Sequence, residues 1–128
     1  MKKTILKTTD GGNTWNKQNA KTTNYLSSVC FVDFQTGWVV GKSGTIFKTT
    51  DGGISWNTQN SGVTNHLFSV YFVDDSNGWA VGESGTILMT SDGGTTWHTQ
   101  NSGTNLNLYS VHFVDHQTDS VCRPARRF

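Results

Sequence analysis

The segment Thr8-Thr9-Asp10-Gly11-Gly12-Asn13-Thr14-Trp15 recurs as Thr49-Thr50-Asp51-Gly52-Gly53-Ile54-Ser55-Trp56 and again as Thr90-Ser91-Asp92-Gly93-Gly94-Thr95-Thr96-Trp97, each copy 41 residues after the last. A fixed period of this length means one supersecondary unit repeated along the chain, and that constrains the fold more than any single residue does. The step extends beyond the motif. Phe31-Val32-Asp33, Phe72-Val73-Asp74 and Phe113-Val114-Asp115 keep it, as do Gly37-Trp38-Val39-Val40-Gly41 and Gly78-Trp79-Ala80-Val81-Gly82. The N-terminus joins midway, with Thr4-Ile5-Leu6-Lys7-Thr8 falling on Thr45-Ile46-Phe47-Lys48-Thr49.

One unit divides into four short runs: Leu26 to Val32, Gly37 to Val40, Thr45 to Thr49 and Ser55 to Gln59. Gly, Asn, Asp and Ser close each run, and no window holds apolar residues at helical spacing long enough for a helix. Four strands in roughly 40–45 residues is the size of one propeller blade. The chain is therefore read as all-β, with β-propeller blades of four antiparallel strands in an incomplete ring. Residues 1–24 form a partial blade, 25–65 and 66–105 two full ones, and 106–118 a second partial one. Closed rings hold roughly 4–8 blades, so either other copies complete the ring, through open blade faces and strand edges that invite self-association, or the chain is a fragment of something larger.

The repeated turn has a local logic. Asp accepts hydrogen bonds from backbone amides just ahead of it, Gly supplies positive φ, and the Thr or Ser leads into the next strand. Trp15, Trp56 and Trp97 sit at the turn and Trp38 and Trp79 on the second strand, and all five are expected to pack between adjacent blades.

At these residues the chain resembles the Asp-box, or bacterial neuraminidase repeat, Ser/Thr-x-Asp-x-Gly-x-Thr/Ser-Trp. Thr8, Asp10, Gly12, Thr14 and Trp15 match it, as do Thr49, Asp51, Gly53, Ser55 and Trp56, and Thr90, Asp92, Gly94, Thr96 and Trp97. The whole unit resembles the photosystem II stability/assembly-factor type of repeat, found in chloroplast and cyanobacterial assembly factors and in many exported bacterial proteins. That resemblance implies a non-enzymatic propeller offering a face or loops to a protein partner, in a full-length protein that is exported. Asp-boxes also occur in sialidases, in some glucan hydrolases and in sortilin-type receptors, away from the chemistry, so the box speaks for fold before function.

Past Thr118 the repeat calls for Gly-Trp-x-Val-Gly, yet the chain reads Asp119-Ser120-Val121-Cys122-Arg123-Pro124, and every arginine and the only proline lie in these last ten residues. The change marks 119–128 as an aberrant tail outside the repeat, as a reading-frame shift near codon 119 or an artificial truncation would produce, the alternative being a natural basic tail. Residues 1–118 carry seven lysines against seven Asp and one Glu, so no basic face exists for nucleic acid. No apolar run is long enough to span a membrane. Cys30 and Cys122 occupy unrelated positions, which leaves a disulfide between them open without pointing to one.

Catalysis is not expected. A sialidase would need three arginines and a Tyr–Glu pair, whereas the repeat region has no arginine and Glu83 is its only glutamate. Asp10, Asp51 and Asp92, and likewise Asp33, Asp74 and Asp115, recur with the period, which turn geometry explains; Asp75, Glu83 and Asp119 do not recur, and Asp75 and Glu83 read as loop residues. A glycosidase would need two carboxylates facing one bond, one of raised pKa. His66, His98, His112 and His116 lack metal-ligand spacing: four residues apart on a strand, His112 and His116 would stand about 13 Å apart. No cofactor motif occurs, since the Gly-Gly pairs lack the Lys-Ser/Thr sequel of a phosphate loop. Two readings remain: a scaffold gripping a protein partner, and a piece of an exported carbohydrate-binding or hydrolytic propeller. The polar loops 60–65 and 101–106 are candidate recognition segments.

Overall fold

The computed structural model describes residues 4–18, 22–113 and 119–122, the last four and 112–113 as backbone alone. The strands are β1 (Ile5–Lys7), β2 (Asn16–Gln18), β3 (Leu26–Phe31), β4 (Gly37–Gly41), β5 (Ile46–Thr49), β6 (Asn57–Gln59), β7 (Leu67–Phe72), β8 (Gly78–Gly82), β9 (Ile87–Thr90), β10 (His98–Gln100), β11 (Ser110–Phe113) and β12 (Asp119–Cys122). They form two four-stranded antiparallel sheets, β3-β4-β5-β6 and β7-β8-β9-β10, flanked by the two-stranded sheets β1-β2 and β11-β12. This is the propeller architecture expected, in two full and two partial blades. Among the described residues the only helical turns are the single 3-10 turns Lys42–Gly44 and Glu83–Gly85.

The second strand of each full blade is buried on both faces, from Gly37 to Gly41 and from Gly78 to Gly82, which is why it reads as a continuous apolar run rather than an alternating one. Its leading glycine has a packing reason. Phe31 stands opposite Gly37 and Phe72 opposite Gly78. A Cβ at Gly37 would fall 2.7 Å from the Phe31 ring, and one at Gly78 2.5 Å from that of Phe72. The ring covers the bare backbone of its cross-strand partner.

Blades stack through their faces. Trp38, Val40 and Ile46 of one meet Leu67, Val70, Phe72, Ala80, Leu88 and Trp97 of the next in one buried cluster. Ile5 of the first partial blade packs on Val39 and Phe47, and Trp79 and Val81 pack on Leu108 and Val111. The first strands β3, β7 and β11 lie side by side along the inner edge. Ser28 Oγ accepts from Val70 N at 3.3 Å, and Ser69 Oγ from Val111 N at 3.3 Å, so the same hydroxyl ties each inner strand to the one after it.

Every blade has two distinct ends. Leu26 pairs with Gly41, so Tyr25 and the 3-10 turn lie at one end; Phe31 pairs with Gly37 and Gly37 with Thr49, so the Asp-box turn lies at the other. The β3–β4 and β7–β8 turns, at the Asp-box end, are held by side chains: Asp33 Oδ1 accepts from Gln35 N at 2.8 Å and Thr36 N at 2.7 Å, and Asp74 does the same for Ser76 and Asn77.

Two expectations are corrected. The first four residues of the tail, expected outside the repeat, form β12, with Ser110 opposite Cys122 and Phe113 opposite Asp119. That is the register of Ser69 with Val81 and Phe72 with Gly78. A ladder is made of backbone N–H and C=O, which any proline-free stretch supplies, so loss of the Gly-Trp motif does not by itself prevent pairing. Residues 123–128, and Asp115 and His116, lie outside the described residues. The fourth strand also begins later than expected, at Asn57, because Ser55 belongs to the turn.

Candidate functional site

Each Asp-box closes on itself. Thr49 Oγ1 donates to Asp51 Oδ1 at 2.8 Å and accepts from Gly53 N at 2.8 Å. Ser55 donates twice to Asp51, from N at 2.9 Å and from Oγ at 2.6 Å. Thr8, Asp10, Gly12 and Thr14 repeat the pattern, as do Thr90, Asp92, Gly94 and Thr96. Gly52 and Gly53, at φ 75° and 95°, make the left-handed step that the loop needs. The donors from Thr14, Ser55 and Thr96 hold the three carboxyls down to a pKa of about 2 from 3.8. A general acid requires the opposite shift. Among the described residues no group of three or more His, Cys, Asp or Glu could hold a metal ion, and no helix is long and apolar enough to cross a membrane.

The turns then serve as docking points between blades. At the junction of β3–β6 with β7–β10, Trp38 is fully buried and stacks on Phe72 with ring centroids 3.4 Å apart and planes 5° apart. Its Nε1 donates 3.0 Å to the carbonyl of Gly93, in the next blade's Asp-box. Gln59 Nε2 donates to the same carbonyl at 3.2 Å while its Oε1 accepts from Trp97 Nε1 at 3.4 Å. Trp97 closes the cluster edge-on to Phe72 at 5.8 Å, and Lys48 Nζ lies 5.2 Å from the Trp38 ring.

The junction of β1–β2 with β3–β6 has the same parts without the tryptophan. Lys7, in the place of Lys48, donates from Nζ to the carbonyl of Gly52 at 2.6 Å and to that of Phe34 at 3.3 Å, and stands 5.4 Å from the Phe31 ring. A cavity of about 280 Å³ remains, walled by Ile5, Val29, Phe31, Phe34, Trp15 and Trp56. Val29 is 49% exposed where its counterparts Val70 and Val111 are 4% and 5% exposed. Trp56 Nε1 is buried with no partner among the described residues, unlike Trp97 Nε1. Trp15, expected to pack between blades, is instead 56% exposed and bonds only its own turn, Nε1 to Gly12 O at 3.1 Å, because no blade face among the described residues covers it.

The opposite end carries a row of aromatic side chains on a fixed backbone. Tyr25 and Tyr109 are about half exposed; Phe68 stacks on Tyr109 with centroids 4.9 Å apart, and Lys42 Nζ lies 5.3 Å from the Tyr25 ring. A shallow cavity of about 310 Å³ is bounded by Tyr25, Ser27, Lys42, His66 and Phe68. Its rim is pinned across blades. Ser43 N donates to His66 Nδ1 and Ser84 N to Asn107 Oδ1, both at 2.9 Å, and His66 N donates to Glu83 Oε1 at 3.1 Å. The loop residues Ser61 and Ser102 fold back on the carbonyls of Val63 and Thr104 at 3.1 Å, so the segments 60–65 and 101–106 are structured turns.

The sequence reading named the Asp-boxes and missed their partners. Lys7 and Lys48, Gln18 and Gln59, Ser28 and Ser69, and Phe31 and Phe72 all keep the 41-residue step, which was the signal available. Of the expected loop acids, Glu83 caps the His66 amide and Asp75 accepts from Ser76 Oγ at 3.2 Å. Cys30 is a free, half-buried thiol.

A family model described as photosynthesis system II assembly factor YCF48 matches residues 1–60 and 55–125. No curated protein matches the chain. Among solved structures, YCF48 from Cyanidioschyzon merolae superimposes with a TM-score of 0.81 at 23% identity, over 94% of this chain and 41% of that one. A structure described as YCF48 bound to D1 peptide gives 0.72 at 26% identity, over 81% of this chain and 36% of that one. The chain thus spans less than half the length of either solved relative.

Proposed function

This chain belongs to the photosynthesis system II assembly factor YCF48 family, and from that premise we propose that it is a non-enzymatic propeller segment that holds an extended segment of a partner protein. The observation that carries the reading is the aromatic row Tyr25, Phe68 and Tyr109 with Lys42 beside it: two half-exposed tyrosines and a partly buried phenylalanine on a backbone pinned across blades. Rigid aromatics with an adjacent cation are the side chains that anchor protein interfaces, because they lose little conformational freedom on binding. The solved YCF48 relative holds a D1 peptide, which makes a D1-type peptide the first partner to test. The depressed Asp-box carboxyls favour the non-enzymatic reading over the hydrolytic one. Export of the full-length protein is part of the same proposal and rests on the family resemblance.

The test is a titration of fluorescently labelled D1 peptide with this chain, followed by anisotropy. Saturable binding that weakens roughly tenfold or more in Tyr25→Ser and in Tyr109→Ser supports the reading. An anisotropy that stays flat up to about 100 µM protein, well above the micromolar range of specific recognition, overturns it.

A further inference from the structure

We propose that His66 is a proton-sensitive latch across the seam between β3–β6 and β7–β10: its neutral ring holds the Lys42–Gly44 turn, and its protonation in mild acid releases that turn together with the Lys42 side chain. Two turns of one repeat carry the same bonds. Lys42 N donates to Tyr25 O at 2.9 Å, and Glu83 N to His66 O at 2.8 Å. Thr45 returns to Lys42 O from N at 3.3 Å and from Oγ1 at 2.7 Å, as Thr86 returns to Glu83 O at 3.2 Å and 2.6 Å. Ser43 and Ser84 both take the left-handed conformation, at φ 61° and 58°, which a residue with a Cβ keeps only where its surroundings impose it. Each serine amide is held from the following blade. Ser84 N donates to Asn107 Oδ1 and Ser43 N to His66 Nδ1, both at 2.9 Å. In this bond the two seams differ by their acceptor, and of the two acceptors the imidazole nitrogen is the one that takes up a proton.

Accepting at Nδ1 requires that nitrogen to be bare, so the neutral ring carries its proton on Nε2. Imidazole is the side chain that ordinarily gains its charge between about pH 8 and pH 5, and the charged ring donates from both nitrogens. Nδ1–H then faces Ser43 N–H, two donors with no acceptor between them, and the left-handed serine loses the bond that fixes it across the seam. The backbone under the ring stays in place, because Glu83 holds His66 twice: its Oε1 accepts from His66 N at 3.1 Å and its N donates to His66 O. The charged groups that face the ring are the Lys42 ammonium, on the same cavity, and the Glu83 carboxylate; Tyr25 is the remaining titratable side chain on that cavity. Lys42 Nζ lies 5.3 Å from the Tyr25 ring, so release of the turn displaces the cation of the aromatic row. A change in partner binding on release rests on the function proposed above; the latch itself does not.

The test is amide hydrogen exchange by NMR on the isotope-labelled 128-residue chain. Ser43 is compared with Ser84 in one sample at about pH 7.5 and about pH 5.5, on either side of the ordinary imidazole midpoint. We expect the protection of Ser43 relative to Ser84 to fall about fivefold or more in acid, the worth of one hydrogen bond. The Asp-box carboxyls titrate at about 2, far below this window, and contribute nothing to the change. In His66→Asn, which offers Ser43 the acceptor that Asn107 offers Ser84, the ratio should hold at both pH values. A ratio in the parent that ignores pH overturns the proposal, and this comparison needs no variant to fold. A fall of the same size in His66→Asn overturns it as well. A second arm repeats the D1 peptide titration at both pH values. Affinity lost in acid by the parent and kept by His66→Asn ties the latch to partner binding, and affinity lost equally by both breaks that tie. A peptide that binds at neither pH removes the proposed function, while the exchange ratio still decides the latch.

Discussion

Replacing Trp38 by alanine tests whether the blades are held by the junction described above. Trp38 is fully buried, stacked on Phe72 at 3.4 Å, and bonded to the Gly93 carbonyl at 3.0 Å. Truncating a buried aromatic to alanine costs about 3–5 kcal/mol. The parallel stack adds about 0.5–1.5 kcal/mol beyond area. The hydrogen-bond loss is at the low end, about 1 kcal/mol, because Gln59 Nε2 still donates to Gly93 at 3.2 Å. These contributions overlap in part, so the expected loss is about 4–5 kcal/mol, a third or more of the stability of an ordinary domain. For a chain of this size it corresponds to a fall in Tm of roughly 15 °C. The assay is urea unfolding followed by far-ultraviolet circular dichroism, with Trp15→Ala as comparison. Trp15 has the same motif position as Trp56 and Trp97 but is 56% exposed, and its removal should cost under about 1 kcal/mol. Equal losses for the two variants would refute the assignment of blade cohesion to the buried tryptophan.

Acid stability follows from the Asp-boxes. Their carboxyls titrate at about 2 in the fold against 3.8 ordinarily, so the folded state binds fewer protons and their stabilisation is fully present above about pH 4. It is lost as pH falls through about 2; Tm measured against pH should decline in that window, and Asp51→Asn with Asp92→Asn should lower Tm near neutrality while flattening the decline. Gly44→Ala should destabilise more than Gly62→Ala: both sit at positive φ, but a Cβ at Gly44 would press on the Val63 carbonyl while Gly62 has open space. Conformational strain alone sets the Gly62 loss at about 1–2 kcal/mol, and thermal melts of the two variants would order them. Lys48→Met should loosen the central junction without unfolding it, seen as faster amide exchange at β6 and at Gly93; unchanged exchange would deny the lysine a role.

The turns were legible because their chemistry is local. Asp51 finds all its donors between Thr49 and Ser55, eight consecutive residues specify the loop, and the period then fixes how often it recurs. The depth of the tryptophans was not legible. Trp15, Trp56 and Trp97 sit in near-identical octapeptides, yet one is exposed, one half-buried and one buried, because burial is set by the neighbouring blade rather than by the motif. The same holds for Val29 and Val70. Strand β12 escaped prediction for a related reason: composition marked a break where the backbone ladder continues. The aromatic row at the other end was hidden by its lack of pattern, since Tyr25, His66 and Asn107 share a repeat position but not a chemistry.

In the links between blades the acceptor is repeatedly a main-chain carbonyl: that of Gly52 for Lys7, and that of Gly93 for Trp38 and Gln59. A substitution can delete a donor but cannot delete a carbonyl. Half of each such link is therefore beyond the reach of point mutation, and a duplicated unit inherits it even after its side chains have drifted. Divergence can accumulate at exposed turn positions such as Asn13, Ile54 and Thr95 while neighbouring units still recognise one another. Tolerance of this kind lets a lineage lengthen, shorten and reshuffle its blades without redesigning the seam between them.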